Sequence, residues 1–259
     1  MKKSKIAVLV AMVVVLAFSL AACGGSDKSS SDKTVYKVGT EPTFPPFDTT
    51  DEDQNIVGLD MDLIKAIGED QGFDVEFENL SFDGLIPALK AGNIDIVAAG
   101  MNKDDEDRQK EVDFSDSYYE SKLFVAVTED NTTIKSVEDL TPDMKVAAQT
   151  GTTGASKVQE LKDAGKIKEA VILDGLDTCM MKLINGDVSA VINDKPVTEA
   201  YMKKQPDKIK MVGKALNAEN YGFAVQKGNA ELVEKINNGL KNIKENGTYD
   251  KLVDEWFNK

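Results

Sequence analysis

The chain carries a single arginine, Arg108, among 31 basic residues. Lysine supplies positive charge as well as arginine does, but only a guanidinium presents a flat fork of N–H donors that grips a carboxylate at two points. A lysine-rich chain that keeps one arginine points to that geometry. A solvated arginine inside the charged run 103–111 is the reading that position alone leaves open. The complementary group is Asp194, in Asn193-Asp194-Lys195-Pro196. Its carboxylate suits an ammonium group, and it equally suits the N-cap of a helix that begins near Pro196. In Gln149-Thr150-Gly151-Thr152-Thr153-Gly154, a glycine and threonine loop leads into a helical pattern. Free N–H groups at such a start, with the Thr152 hydroxyl, suit an anion, and the same residues also make a plain cap. The loop has no lysine, unlike a usual phosphate cradle. Phe44 and Phe82 offer rings that read as core when taken alone, and Glu41 offers an acid that alone reads as solvated. Taken together, a fork for a carboxylate, a carboxylate for an ammonium and rings for a side chain describe an α-amino-acid site. Both ligand charges need partners there, because an unpaired buried charge is very costly.

The elements that must position these groups alternate between short apolar strands and helices. Strands are expected at 35–38, 75–77, 94–99, 123–127, 145–148, 171–173, 188–192 and 221–225, and helices at 60–70, 84–90, from the 149–154 loop to about 164, and at 176–185, 230–245 and 249–257. Met61, Ile64 and Ile67 face inward in one helix, and Leu232, Ile236, Leu240 and Ile243 in another. This order indicates α/β lobes, in which ligands bind beyond the strand ends. Gly100, Asn102 and Arg108 follow the 94–99 strand, the Gly/Thr loop follows 145–148, and Asp194 follows 188–192. Tyr118 and Tyr119 read as core or crossover residues.

Composition narrows the function classes. There is no histidine, which removes Ser-His-Asp and Cys-His catalysis and the commonest metal ligand, and the spacing calls for no cofactor or metal. Lys2, Lys3 and Lys5 precede an uncharged, mostly apolar run, 6–22, that ends in Leu20-Ala21-Ala22-Cys23; this pattern reads as an export signal. Loss of those three lysines takes the formal charge from −14 to −17, which argues against a nucleic-acid partner. Residues 24–33 are Gly, Ser, Asp and Lys and read as a flexible tether. Cys179 sits at helical apolar spacing and reads as a buried core thiol.

At these residues the chain resembles the polar amino-acid family of ABC-transporter substrate-binding proteins. The matching stretches include Val38-Gly39-Thr40-Glu41 with Phe44-Pro45-Pro46-Phe47, Gly58-Leu59-Asp60-Met61-Asp62-Leu63, Ser81-Phe82-Asp83-Gly84-Leu85, 95–101, 112–115, 149–154, 193–196 and 245–249 with Trp256-Phe257. The resemblance implies an α/β, two-lobed periplasmic-binding-protein-like fold of type II, with two crossover strands as hinge. Lobe one would comprise 35–117 and 223–259, lobe two 123–217, and the hinge 118–122 and 218–222. Leu-Ala-Ala-Cys resembles a lipoprotein lipobox, which implies a signal peptide over 1–22, lipidation of Cys23, and a lipid-anchored segment with its tether over 23–34. By resemblance Arg108 grips the α-carboxylate with backbone at Asn102 and Thr153 and the Thr152 hydroxyl. Asp194 and the Gly100 carbonyl take the ammonium, and Phe44 and Phe82 sandwich the side chain. Glu41 meets a polar or cationic tip. Gln149 stands where some glutamine binders carry lysine, so Glu41 is a free acid that favours glutamine, arginine or lysine. One residue more than usual separates Gly100 from Arg108, and the loop is expected to bulge. The implied partners are an amino acid, an ABC permease and, through the lipid, the membrane, with the protein acting as a monomer outside the cytoplasm. An enzyme like cyclohexadienyl dehydratase, with Glu41 as its acid, and a ligand sensor are the other readings.

Overall fold

The computed structural model describes residues 33–258 of 259. The leader, Cys23 and the tether as far as residue 32 lie outside the described residues. Thr34, assigned to the tether by sequence, is instead the first residue of the strand Thr34–Thr40.

Residues 34–258 build two five-stranded sheets of the same order. In the first the order is Phe73–Asn79, Thr34–Thr40, Ile96–Val97, Ala224–Gln226, Val112–Phe114. The first three run parallel, and Ala224–Gln226 is antiparallel to both of its neighbours. The second runs Glu169–Leu173, Lys145–Gln149, Ala190–Asp194, Leu123–Thr128, Ile209–Val212, again with three parallel strands and an antiparallel fourth, Leu123–Thr128. In each lobe that fourth strand is delivered by the chain as it arrives from the other lobe. The two passages, Tyr119–Ser121 and Glu219–Tyr221, pair antiparallel with each other.

Parallel strands covered on both faces need apolar side chains on both. Val38, Ile96 and Val97 in one sheet, and Val146, Ala147 and Val191 in the other, are fully buried. The helices follow the expected stripes: Met61, Ile64 and Ile67 of Leu59–Gln71 are buried, as are Leu232, Ile236, Leu240 and Ile243 of Ala230–Glu245. These two helices pack together across Gly239, where an added Cβ would stand 2.7 Å from Ile67 Cγ2. Cys179 is fully buried, and burial pushes its thiol up to about 12.

Two expectations need correction, and one helix is new. Of the strand expected over 94–99, only Ile96–Val97 pairs in the sheet. Asp95 makes a reciprocal contact with Lys37 instead: its N–H donates to the Lys37 carbonyl (2.8 Å) and its carboxylate accepts the Lys37 N–H (2.9 Å). The strand expected over 221–225 is broken after Tyr221. The Gly222 N–H donates to the Met101 carbonyl (3.1 Å) and the Phe223 N–H to Ser115 Oγ (3.0 Å), which carries the chain from the crossover ladder into the first sheet. The helix Glu106–Glu111, which holds Arg108, is absent from the sequence reading because it is polar on every side and has no apolar period to announce it.

Candidate functional site

Arg108 is oriented by its own short helix. Asp105 caps that helix, accepting the N–H groups of Asp107 and Arg108 at 3.0 Å each. The side chain turns inward and is 9% exposed, which removes the solvated-surface reading. One terminal nitrogen donates to the Asn102 carbonyl (3.2 Å), and the other to the Gly151 carbonyl in the second lobe (2.9 Å). The guanidinium carbon lies 5.4 Å from the Phe82 ring centre. Burial lowers its pKa, against the opposing pull of Asp105, Glu219 and Asp194. An arginine keeps its charge through such a shift, and the fork has further donors for a carboxylate.

Asp194 ends the strand Ala190–Asp194 at the N-cap position of the helix Lys195–Lys204, yet its side chain caps nothing. Its Oδ1 instead accepts Ser121 Oγ (2.9 Å) and the Tyr221 hydroxyl (2.5 Å), both from the crossover strands. Those strands also supply a residue that the sequence reading missed. Glu219 lies two positions before Tyr221, so strand alternation sends both to one face of the ladder. Glu219 is 2% exposed, its Oε1 accepts the Asn217 amide (3.0 Å), and it lines the same cavity as Asp194. Burial and then Glu219 hold Asp194 well above the usual carboxylate range. An acid two residues before an aromatic in a crossover strand is the signal that could have found it.

These groups line one narrow cavity between the lobes, nearly closed in this structure. Phe44, Phe82, Gly100, Asn102 and Arg108 form one wall, Gln149, Thr152, Thr153 and Asp194 the other, with Glu219 between them. At Gly100 only a glycine fits: φ is 54°, and a Cβ would stand 2.7 Å from the Phe44 ring. The Gly100 N–H is held by Asp60 Oδ2 (2.8 Å), which also accepts the Tyr118 hydroxyl (2.7 Å). Asp60 is fully buried, and burial pushes it up to about 7. After Met101 the chain is pinned to the second crossover strand, since Asn102 Oδ1 accepts the Asn220 N–H (3.2 Å) and the Lys103 N–H donates to the Asn220 carbonyl (2.8 Å). A turn at Lys103 and Asp104 follows, and then the arginine helix.

Two residues sit otherwise than the sequence suggests. Glu41 does not line the cavity and is not a free acid: it accepts Gln149 Nε2 (2.7 Å) and Thr43 Oγ1 (2.8 Å). Burial raises its pKa. Gln149 thus takes up the acid expected to meet the ligand directly. The Thr152 hydroxyl caps the helix Thr153–Asp163, accepting the Ala155 N–H (3.1 Å) and donating to the Gln149 carbonyl (2.7 Å), so its donor is already engaged. Further bonds hold the walls together. The Leu176 N–H reaches Thr43 Oγ1 (3.1 Å) and the Tyr201 hydroxyl reaches the Thr43 carbonyl (3.0 Å). Among the described residues no group of three or more Asp, Glu or Cys side chains is placed to hold a metal ion. A larger cleft, about 610 Å³, is lined by Pro45, Pro46, Met202, Trp256 and Phe257 with surface lysines, and has no paired acid and arginine.

The family of bacterial extracellular solute-binding proteins, family 3, matches residues 36–259. The probable histidine-binding protein of Neisseria gonorrhoeae is 34% identical over 252 residues, covering 94% of this chain and 92% of that one. The putative ABC transporter arginine-binding protein 2 of Escherichia coli (strain K12) is 34% identical over 265 residues, covering 100% of both. Among solved structures, an ancestral arginine-binding protein bound to arginine is 44% identical with a TM-score of 0.82, covering 87% of this chain and 99% of that one. The ancestral amino-acid-binding protein AncCDT-1, a precursor of cyclohexadienyl dehydratase, is 38% identical with a TM-score of 0.79, covering 86% and 95%.

Proposed function

Because the chain belongs to family 3 of the bacterial extracellular solute-binding proteins, we propose that its cleft captures a polar L-amino acid outside the cytoplasm and delivers it to an ABC importer. The observation that carries this reading is the placing of Arg108 and Asp194 on opposite lobes of one cavity, a fork facing an acid. Arg108 takes the α-carboxylate with the N–H at Thr153, the start of a helix. Asp194 takes the ammonium, and Phe44 and Phe82 flank the side chain. Glutamine, arginine or lysine is the ligand, with arginine first. Its relatives include arginine-binding proteins, and Glu41 lies directly behind Gln149, so a cationic tip that displaces the amide meets an acid. The segments 118–122 and 218–222 act as the hinge between lobe one (35–117 and 223–259) and lobe two (123–217). Closure follows from tighter ligand binding to the closed state, and can shift the population only by that difference. The protein works as a monomer held to the membrane by lipid on Cys23.

A thermal-shift screen against the twenty amino acids tests the reading. The right ligand at about a hundredfold excess over its Kd adds about 2.7 kcal/mol, a rise of at least about 5 °C at this size. Absence of a shift with every amino acid sinks the reading. Tight glutamate binding without a response to glutamine, arginine or lysine sinks the choice of ligand. AncCDT-1 is a precursor of an enzyme, whereas the histidine- and arginine-binding relatives are binding proteins. Incubation with prephenate and arogenate is expected to give no turnover.

A further inference from the structure

Two acids meet at the ammonium end of the cavity where the clamp needs only one. Asp194 is 6% exposed and Glu219 2%, and both line the same narrow cavity beside Gly100. Among the described residues no lysine or arginine forms an ion pair with either. Arg108 attracts both through space, but its two nearest bonds run to the carbonyls of Asn102 and Gly151. The groups facing the pair are otherwise neutral: Ser121 Oγ and the Tyr221 hydroxyl on Asp194, and the Asn217 amide on Glu219. Two carboxylates that line one narrow cavity, out of water and without a bonded cation, do not both ionise readily, and a proton is the simplest group to offset one of them.

We propose that Glu219 is a second carboxylate for the ligand's ammonium group, and that the ammonium displaces the proton held between Asp194 and Glu219, which leaves to solvent on binding. This rests on the amino-acid reading of the cavity and adds a residue and a proton to it. An ammonium has three N–H donors, and the two carboxylates with the Gly100 carbonyl supply three acceptors in the lining. Glu219 comes from a crossover strand, so its acid is part of the connection between the lobes and meets the ligand where they join. A ligand without the ammonium, such as an α-hydroxy acid, meets the protonated pair and releases nothing there.

The sign follows from linkage. The ammonium stabilises the ionised acids, so the complex binds fewer protons than the free protein. Affinity therefore rises with pH through the free-state titration of the pair and levels off above it. Isothermal calorimetry of the full chain with L-arginine, L-glutamine and L-lysine at about pH 7, in buffers of different ionisation enthalpy, reads the protons released per ligand bound. The expected result is a net release approaching one proton. Glu219→Gln, which keeps Asp194 for the ammonium, is expected to bind more weakly and to lose most of that release. Because Asp60 also titrates near neutrality, at about 7, the comparison between wild type and variant is what isolates the pair. Tight binding by the wild type with no proton exchange overturns the proposal, and so does a variant with undiminished release. Should the variant not fold, the wild-type affinity between about pH 5 and 8 decides: a fall toward tenfold per pH unit on acidification supports the proposal, and a flat profile overturns it. If no amino acid produces heat, the reading of the cavity itself fails, an outcome distinct from binding without proton release.

Discussion

Replacing Arg108 with lysine keeps the charge and removes the fork. In the structure the guanidinium donates to carbonyls on both lobes, at 3.2 Å to Asn102 and 2.9 Å to Gly151, while packing over Phe82 at 5.4 Å. A lysine ammonium is a compact point charge on a flexible stem and cannot hold these two carbonyls and both oxygens of a carboxylate at once. Hydrogen bonds from a charged donor contribute about 1.5–3 kcal/mol each, and the lysine is expected to forfeit at least one to the ligand and one across the lobes. The net loss is about 3–4 kcal/mol of ligand affinity, or about 150- to 1000-fold in Kd. Calorimetry with L-arginine reads this directly, and circular dichroism checks that the variant is folded. The ligand-free protein should lose less, because part of the effect is realised only with a carboxylate in place. Binding by Arg108→Lys within about threefold of wild type would refute the reasoning, since it would mean that charge, and not two-point geometry, is what the site requires.

Asp194→Asn should abolish detectable amino-acid binding while leaving the ligand-free melting temperature unchanged or higher, because the acid is held well above its usual range and its ionised form is disfavoured in the fold; calorimetry and a thermal melt separate the two effects. Asp60, raised to about 7 by burial, makes the folded state the better proton binder. The stability it contributes is complete below about pH 4 and is lost as pH rises through about 7, so the ligand-free melting temperature should fall over that window, and Asp60→Asn should flatten the fall. Gly100→Ala should destabilise the protein by about 1–3 kcal/mol, read by urea denaturation, and weaken binding, since φ is 54° and the new Cβ would press on Phe44 at 2.7 Å.

The cleft residues were legible to the extent that their types are unusual where they stand. Arg108 is conspicuous because lysine fills the other basic positions, and Asp194 because it closes an apolar strand. The same local reading left Asp194 open as a helix cap, and only its bonds to Ser121 and Tyr221 decide against that. Thr152 went the other way: the hydroxyl that suits an anion is occupied as the cap of its own helix. Glu41 looked free because Gln149 lies far along the chain, and nothing local records that the two side chains meet at 2.7 Å.

The sequence by itself determined the alternation of strands and helices, the apolar stripes of the long helices, and the chemical types at the site, because each depends on residue identity and spacing within a turn or a strand. The tertiary structure alone decided where the strand over 221–225 breaks, that Gln149 occupies Glu41, and that Glu219 joins Asp194 in one cavity. Those outcomes depend on the register of the two crossover strands and on which groups lose water together when the lobes meet, and neither is written in any single stretch of chain.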